Sequence, residues 1–208
     1  DQLLEQMKNK LTRKYRWMKE EHIYVLPMDL NINSPDYLAA KYQTILQHFD
    51  LQSIDILLNN AGFSMRSYLT DFAEQDAIDM MQTNLSTPIL LSKLVLTDII
   101  KDPTKKTKGD GNDSKFGHIV NISSIAGRLY SPTRSVYVAT KSGLIGFTYA
   151  MSQEVKEYGN VHFSVILPGP VQTDVDIAAR GKHGRGHQKR DDVIQNGQTP
   201  RRCAEIIC

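Results

Sequence analysis

Tyr137 and Lys141 stand four residues apart at the start of a helical pattern, so both side chains point to one face, one turn apart. A free phenol ionises near pH 10 and is a poor base at neutrality. An ammonium beside it favours the phenolate, and bringing the phenol toward neutrality takes roughly 4 kcal/mol, within reach of a cation in a half-buried site. Such a tyrosine can give a proton to a carbonyl oxygen that is being reduced, or take one from an alcohol. Ser124 lies upstream at the end of an apolar run, where its hydroxyl can hydrogen-bond the same oxygen. Asn84 falls inside a helical stretch, where asparagine is a poor former, and Pro88 has no N–H to return to its carbonyl. That carbonyl is expected to be free at a kink and able to hold a water. Taken alone, each of these is bland: an aromatic beside a solvated lysine, a turn serine, a helix break. Their company is what suggests chemistry.

Four short apolar runs can position these residues: His22 to Met28, Ile54 to Leu58, His118 to Ile122 and Val161 to Leu167. Helical patterns lie between them, from Pro35, over about 73–100 with an interruption at Pro88, and from Val136 to Tyr158. Continuous apolar strands alternating with helices predict a parallel α/β sheet covered on both faces. Ser34-Pro35-Asp36 is a strong helix start, and the helix behind it shows Leu38, Tyr42, Ile45 and Phe49 on one side. Leu3, Leu4, Met7 and Leu11 mark an amphipathic surface helix, and Thr199-Pro200 opens one more helix at the end. In open parallel sheets ligands bind outside the carboxyl ends of the strands. Asp29, Asn59 to Gly62, Ser123-Ser124 and Pro168 to Thr173 all fall there. Turn-making accounts for one such cluster, not for four.

The chain has 208 residues, 40% of them hydrophobic, enough for a single domain over 1–208 with a proper core. A formal charge of +2 implies no nucleic-acid partner, and Trp17 among Arg13, Lys14, Arg16 and Lys19 reads as a solvated face. Cys203 and Cys208 make no disulfide framework. No apolar run is long enough to span a membrane. His183 and His187 have metal-ligand spacing, but the glycines around them argue against a helix, and no metal site is expected. Lys101 to Lys115 reads as a solvated loop, and Gly181 to Arg190 as a basic, glycine-rich one.

NNAG at Asn59 to Gly62, the Asn84 helix, VNISS ending at Ser124, YVATK at Tyr137 to Lys141 and PGPVQT at Pro168 to Thr173 together resemble the short-chain dehydrogenase/reductase family. Their order and spacing match over Val25 to Thr173. The resemblance implies a doubly wound, Rossmann-like parallel sheet, with Asn84, Ser124, Tyr137 and Lys141 as the catalytic set. It implies Tyr137 as proton donor or acceptor, Lys141 lowering its pKa and bonding the nicotinamide ribose, Ser124 polarising the carbonyl, and Asn84 completing a relay through a water. It further implies cofactor contacts from Asp29 and Leu30 at the adenine, from Asn59, Ala61 and Gly62 along the cofactor, and from Pro168, Gly169, Val171 and Thr173 at the nicotinamide end. Residues 174–198 would form the substrate lid.

VLPMDL at Val25, IDILLNNAGFSMRS at Ile54, LPGPVQT at Leu167 and the RCAEII tail carry a narrower likeness, to the member-seven subgroup of the family's dehydrogenase/reductase set. That likeness implies NADP (NAD not excluded), a hydrophobic carbonyl or alcohol of steroid or retinoid type, the endoplasmic reticulum membrane, and a homodimer or homotetramer. The family's opening strand, glycine-rich turn and second strand have no counterpart in this sequence, which starts on what reads as the next helix. The expectation is that upstream coding sequence supplies them, and that the 208 residues alone bind NADPH or NADH weakly. A non-catalytic relative acting as a binding or dimer subunit is the alternative from another class. An extended epimerase or dehydratase also uses a Tyr-x-x-x-Lys pair, but the Ser124 to Tyr137 spacing and the short chain after Thr173 disfavour it.

Overall fold

The computed structural model describes residues 2–15, 17–32, 34–103, 116–173, 179–181 and 195–207. Three parallel strands, β1 (Ile56–Asn59), β2 (Gly117–Ile122) and β3 (Val161–Ile166), lie in the order β1-β2-β3. Asn59 pairs with Asn121, and Ile122 with Ile166, so all three carboxyl ends reach one edge of the sheet. The helices are α1 (Gln2–Lys14), α2 (Pro35–His48), α3 (Glu74–Met81), α4 (Thr87–Lys101), α5 (Ser135–Glu154) and α6 (Pro200–Ile207). A π-helical turn, Gln82–Ser86, joins α3 to α4. Strand order that follows chain order places successive crossovers on one face, because parallel crossovers share one hand. The helices α4 and α5 therefore pack on the same side.

His22 to Met28 does not join the sheet. Glu20–His22 forms a single 3-10 turn, and residues 23–28 run on with no regular hydrogen-bonded structure. A strand exists through its ladder, and no described strand lies beside this run to supply one. Its apolar content goes into packing instead: the Tyr24 ring stacks on His48 at 3.9 Å and meets Phe49 edge-on. An apolar run is the same whether it pairs or only packs, which is why the sequence misleads here.

The start of α2 follows local rules. Ser34 Oγ accepts a hydrogen bond from the Tyr37 N–H at 3.2 Å, and Pro35 takes the first helical position. The buried stripe is Leu38, Tyr42 and Leu46, with Ile45 and Phe49 at its margin. Tyr42 and Leu46 join Val95, Ile99, Ile119, Val155, Val161 and Phe163 in the core beneath the helices. The opposite face is less covered among the described residues: Ile56 and Leu58 of β1 are 60% and 53% exposed. Cover on both faces is thus found only in part. Residues 104–115, 174–178 and 182–194, which include most of both expected loops as well as His183 and His187, lie outside the described residues, as does Cys208. Among the described residues no helix is long and apolar enough to cross a membrane.

Gly117 opens β2 directly under α4. A Cβ there would lie 2.4 Å from Ile99 Cδ1 and 2.9 Å from Ile99 Cγ2, so the helix sits on the strand only because the position is glycine. Gly117→Ala is expected to destabilise the fold by about 1–3 kcal/mol through overpacking. Urea denaturation checks it, and Ile99→Val in the same background should recover part of the loss, since the two changes are coupled by contact.

Candidate functional site

Tyr137 is the third residue of α5 and Lys141 lies one turn further on. Lys141 is only 5% exposed; its ammonium donates to the carbonyl oxygen of Ile122 at 2.9 Å and lies 5.8 Å from the centre of the Tyr137 ring. Burial disfavours the charged form and lowers the Lys141 pKa to about 8. The cation thus sits where β2 ends, beneath the phenol, in a site that resists its charge.

Ser124 follows β2 and caps a 3-10 turn, Ile125–Gly127, its Oγ accepting from the Ala126 N–H at 3.1 Å. As an acceptor in that bond the hydroxyl keeps its own hydrogen to donate. Three contacts pin this turn to α5. The Ser123 hydroxyl donates to the Lys141 carbonyl at 2.8 Å, and the Ser142 hydroxyl donates to the Gly127 carbonyl at 2.9 Å. A Cβ on Gly127 would stand 2.7 Å from Ile145 Cδ1 and 3.0 Å from the Lys141 carbonyl oxygen, so glycine is needed for the approach. The separation of Ser124 from the helix bearing Tyr137 is therefore set by packing.

Asn84 sits in the π-helical turn, almost wholly buried. The break expected at Pro88 comes earlier: the Thr87 N–H reaches back to the Gln82 carbonyl, widening the helix by one residue at Asn84. Such single π-turns recur at functional sites. The Asn84 amide clamps Phe63, accepting from its N–H at 3.0 Å and donating to its carbonyl at 2.8 Å. A Cβ on Gly62 would lie 2.9 Å from Asn84 Oδ1 and 3.6 Å from Lys141 Nζ. Bare backbone at Gly62 is what lets strand end, π-turn and α5 converge.

The strand ends enclose a cleft of about 730 Å³. Ser124, Tyr137, Lys141, Gly62, Pro168, Gly169, Val171 and Thr173 all line it. Asn84 stands behind, touching Gly62 and Phe63 rather than the cleft. Asn59, Ala61, Asp29 and Leu30 are not among the lining residues. Asn59 turns inward, donating to Asn121 Oδ1 at 2.8 Å, while Asn121 donates to Thr148 Oγ1 at 2.9 Å, a buried chain that ties β1, β2 and α5 together. Its neighbour Asn60 meets the cleft instead. The Asp29 N–H donates to the Tyr37 hydroxyl, and the Leu30 carbonyl accepts from Thr87 Oγ1 at 2.7 Å, which fixes that loop against α2 and the start of α4.

Several residues around the cleft carried no sequence signal. Arg66 and Arg134 line it, as do Phe63, Leu129 and Pro132. Arg180 donates to both Asp76 and Asp79 of α3 and stacks over Phe63 at 4.6 Å. Bonds from Gln75, Arg180 and Asn31 hold the Asp79 carboxyl down to about 2. Arg180 also joins the loop after β1 through its backbone, donating to the Ser64 carbonyl and accepting from the Arg66 N–H. Beyond the lining residue Thr173, residues 195–198 come back to the cleft, where the Gln198 N–H donates to the Pro170 carbonyl at 2.9 Å. Only the spacing of Asp76 and Asp79, three apart on one helix face, could have suggested a cation partner.

A family described as short chain dehydrogenase matches residues 2–183. Among curated proteins, a 3-oxoacyl-[acyl-carrier-protein] reductase of Vibrio cholerae is 33% identical over 151 residues, covering 73% of this chain and 56% of that protein. Dehydrogenase/reductase SDR family member 7 of Mus musculus is 35% identical over 158 residues, 76% of this chain and 42% of that one. Member 7B of Bos taurus is 29% identical over 85% of this chain and 50% of its own length. The chain thus spans about half the length of the curated relatives it matches. Among solved structures, a 4-hydroxyisoleucine dehydrogenase complexed with NADH and succinate superposes with a TM-score of 0.62 at 28% identity, covering 74% of this chain and 59% of that one.

Proposed function

This chain belongs to the short-chain dehydrogenase/reductase family, and on that premise we propose that it forms the catalytic part of an oxidoreductase moving a hydride between a nicotinamide cofactor and a hydrophobic carbonyl or alcohol. The observation that carries this reading is the meeting of Ser124, Tyr137 and Lys141 on one cleft at the carboxyl ends of the strands.

The residues present fit such a cofactor. The Lys141 ammonium has three N–H donors, of which one goes to the Ile122 carbonyl, leaving donors for a ribose diol at the cleft. At Gly62 and Gly169 no side chain stands in the way of a ligand along the backbone; a Cβ on Gly169 would meet nothing within 4 Å. Gly62, Pro168, Gly169, Val171 and Thr173 would hold the nicotinamide half. Asp29 and Leu30 are assigned to the adenine end, and Asn59 and Ala61 support the backbone that Asn60 and Gly62 present. When bound, the nicotinamide supplies or takes the hydride. Ser124 donates its hydroxyl to the carbonyl oxygen and strengthens that bond as negative charge grows there. Tyr137 gives the proton to the same oxygen, or takes it from an alcohol in the reverse direction. Lys141 keeps positive charge beside the phenolate that remains. Asn84 is a positioning residue: it holds Phe63 and Gly62, and its own carbonyl, denied a donor by Pro88, is the place for a water that relays the proton outward.

NADP is the proposed form of the cofactor, with NAD as its alternative; the subgroup likeness adds a steroid- or retinoid-like substrate, the endoplasmic reticulum membrane and a homodimer or homotetramer. No glycine-rich phosphate turn lies within these 208 residues, so no pyrophosphate contact is assigned to them, and by themselves they are expected to bind NADPH weakly. The test uses the full-length protein that carries this sequence. With NADPH deuterated at nicotinamide C4 and a panel of aliphatic, steroid and retinoid ketones, deuterium should appear on the carbinol carbon of the product. Tight cofactor binding with no transfer to any carbonyl would support the non-catalytic alternative.

A further inference from the structure

Cations that line a partly apolar cleft call for an anion to face them. Among the described residues lining this cleft, Arg66, Arg134 and Lys141 are cationic and none is acidic. The reading above uses Lys141 and leaves the two arginines without a task. They are neighbours in space by construction: the Ser67 N–H donates to the Thr133 carbonyl at 2.9 Å, so the residue before Ser67 and the residue after Thr133 flank one backbone hydrogen bond. The Arg134 guanidinium carbon lies 6.0 Å from the centre of the Tyr137 ring, close to where the reacting oxygen must be. The turn that presents it is strained. Thr133 has φ 64, the left-handed region that a β-branched residue avoids and that persists where the surroundings impose it. Arg180, by contrast, is matched by Asp76 and Asp79 and is not among the lining residues.

We infer that the substrate carries a carboxylate a few carbons from its reacting carbon, and that Arg134, with Arg66, binds it while the apolar part lies on Phe63, Leu129 and Pro132. The substrate class is then an oxo acid, or the corresponding hydroxy acid. A guanidinium has five N–H donors, so a protein partner on one edge leaves another edge for a bidentate carboxylate. The inference rests on the oxidoreductase reading of this cleft and adds the substrate's charge to it.

The probes are 4-oxononanoate and its methyl ester, which share chain and carbonyl and differ by one negative charge. Calorimetry on the full-length protein should show the acid binding roughly 10- to 100-fold more tightly than the ester, the range of a charge-assisted pair. Arg134→Met should collapse that ratio toward unity, Arg134→Lys should retain part of it, and Arg66→Met should reduce it independently. Melting midpoints confirm that each variant is folded. Equal or tighter binding of the ester, no measurable binding of the acid, or a ratio that survives both methionine variants overturns the inference. Turnover of the ester but not the acid would sink the inference and leave the oxidoreductase standing. An acid that binds with the expected Arg134 dependence but never receives deuterium from the cofactor would uphold anion recognition and sink the oxidoreductase.

Discussion

Tyr137→Phe in the full-length protein is expected to lower turnover by about two to four orders of magnitude while leaving cofactor affinity nearly unchanged. Phenylalanine keeps the ring, and so its place above Lys141, 5.8 Å from the ammonium. What it removes is the hydroxyl assigned to exchange a proton with the substrate oxygen. Ser124→Ala should lower turnover too, though by less, since its hydroxyl stabilises charge rather than moving a proton. Turnover and cofactor affinity are measured separately, by steady-state assay and by fluorescence titration of the cofactor. Near-normal turnover in Tyr137→Phe would refute the catalytic assignment.

Lys141→Met should divide function from stability. Turnover and cofactor affinity are both expected to fall, because one ammonium serves the phenol and the ribose. The fold, however, should gain. A lysine whose pKa drops from 10.5 to about 8 on folding is charged in a place that disfavours charge. That costs roughly 3 kcal/mol at neutral pH, of which the lost bond to the Ile122 carbonyl would return about 1 kcal/mol. The sign follows from linkage. Between about pH 8 and 10.5 the unfolded chain binds the proton and the folded chain does not, so wild-type stability rises with pH there. The advantage of Lys141→Met should therefore be complete below about pH 8, shrink as pH rises, and be gone above 10.5. Urea midpoints of both proteins from pH 6 to 10.5 check it. A constant difference across that range would show that burial of the charge is not the cause.

The catalytic tyrosine and lysine were legible because their relation is local. Four residues on a helix put two side chains one turn apart whatever surrounds them, and Ser34-Pro35 starts α2 by bonds within three residues. The parallel strands β1, β2 and β3 were legible as apolar runs, and their ends located the cleft before any geometry was known. The run at His22 to Met28 failed for the complementary reason, since pairing depends on a neighbour that a strand's own residues do not encode. Asn59 and Asn60 are the same residue type side by side. Strand alternation sends the first into the Asn121 network and leaves the second facing the cleft, and register alone decides which. Arg180 meets Asp76 and Asp79 across 104 and 101 residues, and Arg66 meets the neighbourhood of Arg134 through a backbone bond between Ser67 and Thr133. Residue type and short spacing thus determined the reacting pair and the kind of sheet that carries it. The charge lining the cleft, the burial that weakens Lys141 as a cation, and the distance from Ser124 to α5 were decided only by packing, because each is a relation between segments far apart in the chain.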